Sequence, residues 1–298
     1  NVNALTRAPI NADKNIYHIS TDGDRVLLST GFAVVVLNIE KKEIGDTWVI
    51  GNEGEYTKVN ATASDGTYYY AATAAGLKRS ARQGINQADY RNWEMLSGTG
   101  GLPGGSTEGV FLNDGMLYVQ HGSSLYISEN NSFRQIYTDE WSWNMVNYSD
   151  GKFIISQQKN GRARVILLDR NAIIQIIVED DLLTDPRDAL IIGSTIWIAD
   201  SKVGLLEYKD GLTTSIIPNS PQGIPSGEIY ANGGEWWMGR INGMDRFYEG
   251  NWTHYNADGQ TLPENTGAIT PVIKDRADQL WAGTERGGLI LRNGEQFT

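Results

Sequence analysis

The sequence contains no cysteine and only three histidines, His18, His121 and His254. The lack of cysteine excludes disulfides, thiolate metal ligands and a cysteine nucleophile. It does not identify the compartment, because a cysteine-free chain is compatible with oxidising and reducing environments. The histidines show no zinc-ligand spacing. We therefore predict no metal site and no cofactor.

Long apolar runs and basic stripes are also missing. No run approaches the roughly 18 apolar residues that a membrane-spanning helix needs. The net charge is -11, and an acidic chain without a basic stripe argues against nucleic-acid binding. We predict neither a nucleic-acid partner nor a membrane span.

No catalytic constellation can be assembled from the sequence. It has no Gly-x-Ser-x-Gly nucleophile motif and no Asp-rich calcium loop. The single acidic cluster, Glu179 to Asp181, is interpreted as a solvated loop. We predict no catalytic residue, and polysaccharide cleavage is the least favoured function.

Glycine and the large aromatics are plentiful, with 34 Gly, 9 Trp and 14 Tyr. This composition is typical of short strands joined by tight turns. The residues from Gln279 to Phe297 form the clearest unit. A strand centred on Trp281 is followed by a glycine-bearing link, a second apolar strand and an Asn-Gly turn.

The same unit recurs seven times. The central residues of its second strand are Leu27, Tyr70, Tyr118, Ile154, Trp197, Trp237 and Trp281. Their spacing ranges from 36 to 48 residues, which is close to the period of about 40–45 residues of a propeller blade. Tight-turn pairs such as Asp114-Gly115 precede six of the seven strands. Trp197, Trp237 and Trp281 are therefore interpreted as packing residues between blades, whereas Trp236 must face the other way.

We predict an all-β fold, a seven-bladed β-propeller of four-stranded antiparallel blades in a single domain of residues 1–298. The blades are expected near 15–51, 55–97, 105–138, 143–179, 186–218, 226–256 and 268–298. The first strand of each blade would line a central channel. An insertion from Arg82 to Arg91 is expected to be an exposed loop.

Ring closure is a separate prediction. The last outer strand, Glu295 to Thr298, is short, and an open sheet edge invites pairing with other chains. Val2 to Arg7 would close the ring as an outer strand of the seventh blade. Alternatively, it is the remnant of an earlier blade.

Two stretches carry a family resemblance. Leu280-Trp-Ala-Gly-Thr284 with Gly287-Gly-Leu289 resembles the two-component regulator propeller repeat of Bacteroidota. Asn15-Ile-Tyr-His-Ile-Ser20, Leu28 to Thr47 and Ile50-Gly-Asn-Glu-Gly54 resemble the first propeller of the PorZ family of type IX secretion components.

The second resemblance implies a location outside the cytoplasm, at the cell surface and outer membrane or in the periplasm. It also implies action with the sortase of the secretion system, and recognition of anionic lipopolysaccharide. Proteins of this family carry a further propeller and a terminal β-sandwich, so we expect this chain to be a fragment of a longer protein.

Candidate ligand-binding residues lie in the links after the central strands, on the propeller face shared with the links between blades. These residues are polar and partly basic: Thr73, His121, Gln157, Lys202, Arg240, Asn242 and Arg286. Basic groups could bind an anionic glycan or headgroup, although ordinary solvated loops and a solvated His121 are the simpler interpretation. Trp141 and Trp143 lie outside the repeat column. They are either buried anchors or a platform for sugar rings.

Two functions follow. The first is a non-catalytic binding or scaffold propeller of a surface secretion component. The second is the oligosaccharide-sensing propeller of a hybrid two-component receptor, which would be periplasmic.

Overall fold

The computed structural model describes residues 9–130, 132–216, 219–227, 229–257, 261–293 and 296–298. They form seven four-stranded antiparallel sheets, and in each sheet the strands pair in chain order. The fold class is therefore confirmed as all-β, with the seven blades of a β-propeller. No helix among the described residues is long and apolar enough to cross a membrane.

The first four blades contain sixteen strands. Blade 1 comprises β1 (Ile16–Asp22), β2 (Arg25–Thr30), β3 (Val34–Asn38) and β4 (Glu43–Trp48). Blade 2 comprises β5 (Val59–Ser64), β6 (Tyr68–Thr73), β7 (Gly76–Ala81) and β8 (Glu94–Met95). Blade 3 comprises β9 (Gly109–Asn113), β10 (Met116–His121), β11 (Ser124–Glu129) and β12 (Ser132–Thr138). Blade 4 comprises β13 (Ser142–Ser149), β14 (Lys152–Lys159), β15 (Arg162–Asp169) and β16 (Ile174–Val178).

Three blades complete the chain, and two short 3-10 helices, Asn52–Gly54 and Tyr90–Asn92, lie in links. Blade 5 comprises β17 (Pro186–Ile192), β18 (Thr195–Asp200), β19 (Gly204–Lys209) and β20 (Leu212–Ile216). Blade 6 comprises β21 (Ile229–Asn232), β22 (Glu235–Arg240), β23 (Gly243–Tyr248) and β24 (Asn251–Asn256). Blade 7 comprises β25 (Ile269–Lys274), β26 (Leu280–Thr284), β27 (Leu289–Asn293) and β28 (Gln296–Phe297).

The turn pairs set the strand register as predicted. Asp114 and Gly115 both have positive φ, 49° and 75°, and so do Asp150 and Gly151. Two successive positive φ values are those of the type I′ turn that joins tightly paired strands. The predicted central residue Tyr118 consequently pairs with Phe111 on one side and with Ile127 on the other.

The chain forms two compact units, Asn1–Ile216 and Ile217–Thr298. Blades 1–5 lie in unit 1 and blades 6 and 7 in unit 2. The single domain thus stays a prediction. The proposed closing strand, Val2 to Arg7, lies outside the described residues.

Apolar clusters between neighbouring blades form the core of unit 1. One cluster joins Leu27, Val34 and Trp48 of blade 1 to Val59 and Tyr69 of blade 2. Similar clusters join blades 2 and 3, 3 and 4, and 4 and 5. Burial of such flat faces is what holds stacked sheets together.

Among the described residues of unit 2, a core cluster is centred on Trp237, which is fully buried. Its ring stacks on Tyr255 at 5.6 Å and meets Phe297 edge-on at 6.3 Å. The packing role of Trp237 is confirmed, and Trp236 is exposed as alternation predicts. Trp281 is only half-buried, and its indole N–H donates to Asp275.

The predicted exposed loop from Arg82 to Arg91 is anchored to both neighbouring blades. Arg82 donates to both carboxylate oxygens of Asp22, at 3.1 and 2.6 Å. Gln87 donates to the carbonyl of Ala81, and Trp93 donates to the carbonyl of Gln87. The middle of the insertion, 83–86, is exposed as predicted, and its two ends are held to the blades by these polar contacts.

Candidate functional site at the blade links

The links after the central strands and the links between blades meet at one end of each blade. Within unit 1, the amide of Thr107 donates to the carbonyl of Thr73 at 2.9 Å, and Ser201 donates to Asp185 at 3.0 Å. Within unit 2, Asn242 donates to Gly267 at 2.8 Å. These bonds place the predicted residues beside the interblade links of their own unit.

The Thr73 side chain forms hydrogen bonds within its own turn. Its hydroxyl donates to the carbonyl of Gly76 and accepts from the amides of Ala75 and Gly76. The residue is fully buried, so Thr73 cannot contact a ligand. Thr30 and Thr284 bond their own turns in the same way, which shows that threonine at this repeat position is a turn residue.

Gln157 is also buried, beside Asp139 in the link between blades 3 and 4. Its amide donates to the Asp139 carboxylate at 2.8 Å, and its carbonyl oxygen accepts from Arg164. Arg164 donates to the same carboxylate at 2.8 Å. The amide and guanidinium are thus committed to Asp139, and Gln157 is not available to a ligand.

Asp139 also fixes both candidate tryptophans. Its carboxylate accepts from the Trp143 indole N–H at 2.8 Å and from the Trp141 backbone N–H at 3.1 Å. Burial would raise the pKa of Asp139, but hydrogen bonds from Trp143, Gln157, Tyr137 and Trp141 outweigh it and lower the pKa. The carboxylate therefore stays charged.

The two tryptophans differ in what covers their rings. The guanidinium of Arg164 lies 4.2 Å from the centre of the Trp141 ring, in a cation–π contact. Trp143 stacks on Tyr137 at 5.9 Å. Both residues are half-buried, so each keeps only part of its surface for a ligand.

His121 ends β10 and is half-buried against Tyr126, with ring centres 6.5 Å apart. Its Nδ1 is buried and has no hydrogen-bond partner among the described residues. Beside it, the amide of Gly122 donates to the Glu108 carboxylate at 2.7 Å. A ligand role for His121 stays a prediction.

Lys202 is exposed and borders an open cavity of about 870 Å³ in unit 1. The lining of that cavity includes the carboxylates of the predicted acidic loop, Glu179, Asp180 and Asp181, together with Arg162. Arg162 pairs with Glu179. Three carboxylates against two cations leave this surface unfavourable for an anion.

Asp200 shapes the link that carries Lys202. Burial would raise the pKa of Asp200, but the N–H groups of Asp185, Lys202 and Thr184 and the Thr184 hydroxyl lower it to about 2. The bonds are 2.6 to 2.9 Å long. The pKa of Asp200 is lowered because several donors stabilise its charged carboxylate.

In unit 2, Arg240 is buried rather than on the surface. Its guanidinium donates to Asp245 at 3.2 Å and to the Asn256 side chain at 2.6 Å. The carboxylate of Asp245 is fully buried and also contacts His254 at 2.9 Å. Because these groups neutralise one another inside blade 6, Arg240 is unavailable to a ligand.

Asn242 and Arg286 are exposed. Asn242 has a positive φ of 53°, and its side-chain oxygen accepts from the amide of Gly267 at 3.1 Å. Arg286 donates its backbone N–H to Thr266. The side chain of Arg286 is thus the exposed cation among the unit 2 candidates.

A second cavity, of about 660 Å³, is lined mainly by the first strands of blades 1–4. It includes His18, Asn60, Glu108, Trp143 and Asp188. Of these, only Trp143 is a site residue predicted from the sequence. The expectation that first strands line a channel was the signal that could have identified the others.

Comparison with known proteins bears out the sequence resemblance. Residues 1–94 match the family model described as the N-terminal β-propeller domain of PorZ, TSS9. No curated protein matches the chain.

Solved structures share the fold. PorZ, an essential bacterial surface component of the type IX secretion system of Porphyromonas gingivalis, superposes with a TM-score of 0.63 at 16% identity, over 95% of this chain and 39% of that one. The extracellular domain of BT4673 from B. thetaiotaomicron, described as a hybrid two component system, gives a TM-score of 0.50 at 16% identity, over 95% and 46%. This chain therefore spans less than half of either protein.

Proposed function

We propose that this chain is a non-catalytic binding propeller of a cell-surface component of a type IX secretion system. The match of residues 1–94 to the PorZ propeller family carries the proposal. The fold shared with PorZ, at a TM-score of 0.63, supports it. The partners would be secretion-system proteins such as a sortase, or an anionic lipopolysaccharide.

An anionic ligand needs exposed cations. Lys202 and Arg286 are the two basic candidates whose residues are exposed. We expect Arg286 to contribute more than Lys202, because Lys202 borders the carboxylates of Glu179, Asp180 and Asp181.

Binding of vesicles that contain anionic lipopolysaccharide tests this proposal. We expect R286A to weaken binding about threefold and K202A to weaken it less, as is typical of exposed charge pairs. The effect should decrease at high salt. Arg276 and Lys209 are exposed at the opposite ends of the same blades, so R276A and K209A are matched controls. Equal binding by all four variants, or none by the unmodified chain, would overturn the lipopolysaccharide role.

A second candidate is the sensing propeller of a hybrid two-component receptor that binds an oligosaccharide. The likeness to the BT4673 extracellular domain favours it, with a TM-score of 0.50 over 95% of this chain. Reading the parent gene downstream separates the two functions. A membrane helix followed by a histidine kinase selects the receptor, and a further propeller with a terminal sandwich selects the secretion component.

A further inference from the structure

The cavity lined by the first strands of the blades in unit 1 combines apolar and polar residues that favour one class of ligand. Its volume of about 660 Å³ lies within the roughly 300–1,000 Å³ of small-molecule sites. The lining comes mainly from β1, β5, β9 and β13, with contributions from Glu108 in the link before β9, Gln120 of β10 and Asp188 of β17. None of the anionic-ligand candidates Lys202, Arg240 and Arg286 lines it.

One part of the lining is apolar. Ile19 is 60% exposed and Met145 is 41% exposed. Phe111 and Trp143 add aromatic surface to the same cavity. Exposed apolar side chains that line a concave surface favour an apolar ligand segment.

The amide side chains of the lining present acceptors. Asn60 donates its NH₂ group to the Thr107 carbonyl, Asn144 donates to Pro186, and Asn147 donates to Ala189, each at 2.8 Å. A carbonyl partner can only accept, so it fixes the amide orientation. The amide oxygens therefore remain as acceptors.

The charged groups of the lining are the carboxylates of Glu108 and Asp188, and none of the described residues that line the cavity is Lys or Arg. His18 accepts a hydrogen bond from the Thr62 amide at 3.5 Å. Burial lowers the pKa of His18 below its ordinary value of 6.5, so its ring is neutral at pH 7. The cavity is thus rich in acceptors and negative in charge.

One cation lies at the rim of the cavity and would oppose a second positive charge there. Lys58 places its Nζ 3.7 Å from the centre of the Tyr17 ring, and Tyr17 lines the cavity. Asp13 partly offsets this charge, because it accepts the Tyr17 hydroxyl and lies close enough to Lys58 to interact with it.

We propose that this cavity binds a small organic cation, a protonated primary amine carried on an apolar chain. The ammonium group would donate to the amide oxygens of Asn60, Asn144 and Asn147 between the carboxylates of Glu108 and Asp188. The apolar chain would lie against Ile19, Met145 and Trp143. An anion would meet the like charge of Glu108 and Asp188, whereas Lys58 at the rim lies over the Tyr17 ring and is not one of the lining residues.

Three probes of one shape test the charge preference: hexylammonium, hexanol and hexanoate. Binding is followed by NMR on the indole N–H of Trp143, which the W143F variant assigns. We expect hexylammonium to shift this signal and to bind more tightly than hexanol, and hexanoate not to bind. An E108Q/D188N double variant keeps the shape and the acceptors, and should weaken hexylammonium about tenfold.

Two further variants complete the test. K58A removes the neighbouring cation and should strengthen hexylammonium binding. E129Q is the matched control, because Glu129 pairs with Arg134 in the outer hairpin of blade 3, and it should leave binding unchanged. Equal affinity for all three probes, tighter hexanoate binding, or hexylammonium binding unchanged by E108Q/D188N would overturn the proposal. None of these residues enters the lipopolysaccharide experiment, so the two proposals fail independently.

Discussion

At the scale of single residues, carboxylates that are partly or fully buried organise the blade links. Asp139 accepts from Gln157, Arg164 and Trp143, and Asp245 accepts from Arg240. Each carboxylate holds side chains that would otherwise be free to contact a ligand. Charged acceptors with several donors form stronger hydrogen bonds than neutral ones, so these links are expected to be rigid.

Asp200 gives a prediction about pH. Its pKa is lowered from 3.8 to about 2 by hydrogen bonds present only in the folded state. The stabilisation is therefore complete above about pH 4 and is lost as the pH falls towards 2. We expect D200N to lower the free energy of unfolding at pH 7 by about 2 kcal/mol and to flatten its dependence on pH below 4.

Urea unfolding at several pH values measures this effect. Asp210 is exposed in the β19–β20 turn of the same blade, so D210N serves as the control. A pH profile for D200N that runs parallel to the unmodified profile would rule out this role of Asp200.

The sequence located the candidate residues along the strands but not their surroundings. Repeat spacing shows that Thr73 and Arg240 end central strands. It cannot show that the Thr73 hydroxyl bonds its own turn or that Arg240 folds inward onto Asp245, because these depend on tertiary contacts. Lys202, Asn242 and Arg286 are exposed, and their binding role stays a prediction.

At the scale of elements, the positions of most strands could be predicted from local sequence. The first strands of blades 2 and 3, Val59–Ser64 and Gly109–Asn113, lie within the blades predicted at 55–97 and 105–138, because tight turns and apolar alternation define their ends. The anchoring of the Arg82–Arg91 insertion was not predicted, because the bond from Arg82 to Asp22 spans 60 residues of sequence. Such a contact leaves no local pattern.

The insertion gives a prediction at this scale. R82A removes the paired contact with Asp22, which also accepts the Tyr69 hydroxyl at 2.7 Å. We expect limited proteolysis within the insertion to become about threefold faster, the effect of a partly exposed ion pair. Arg91 pairs only within its own loop, with Asp89, so R91A is the control. Equal cleavage of both variants would show that the Arg82 contact does not hold the loop.

At the scale of the whole molecule, the repeat period predicted seven blades because one unit of about 42 residues makes one four-stranded sheet. The division into two compact units at Ile216 cannot be predicted from that repeat period. Function was harder to predict, since the generic repeat is shared by the secretion component and by the receptor. The family match lies in residues 1–94 alone.

The most direct test of the secretion role is affinity capture. The chain is immobilised and exposed to solubilised outer-membrane proteins of a bacterium with a type IX secretion system, and the retained proteins are identified by mass spectrometry. An unrelated seven-bladed propeller is the control. We expect the sortase or another component of the secretion system to be enriched on this chain. Equal recovery of those components on both propellers would contradict the proposed function.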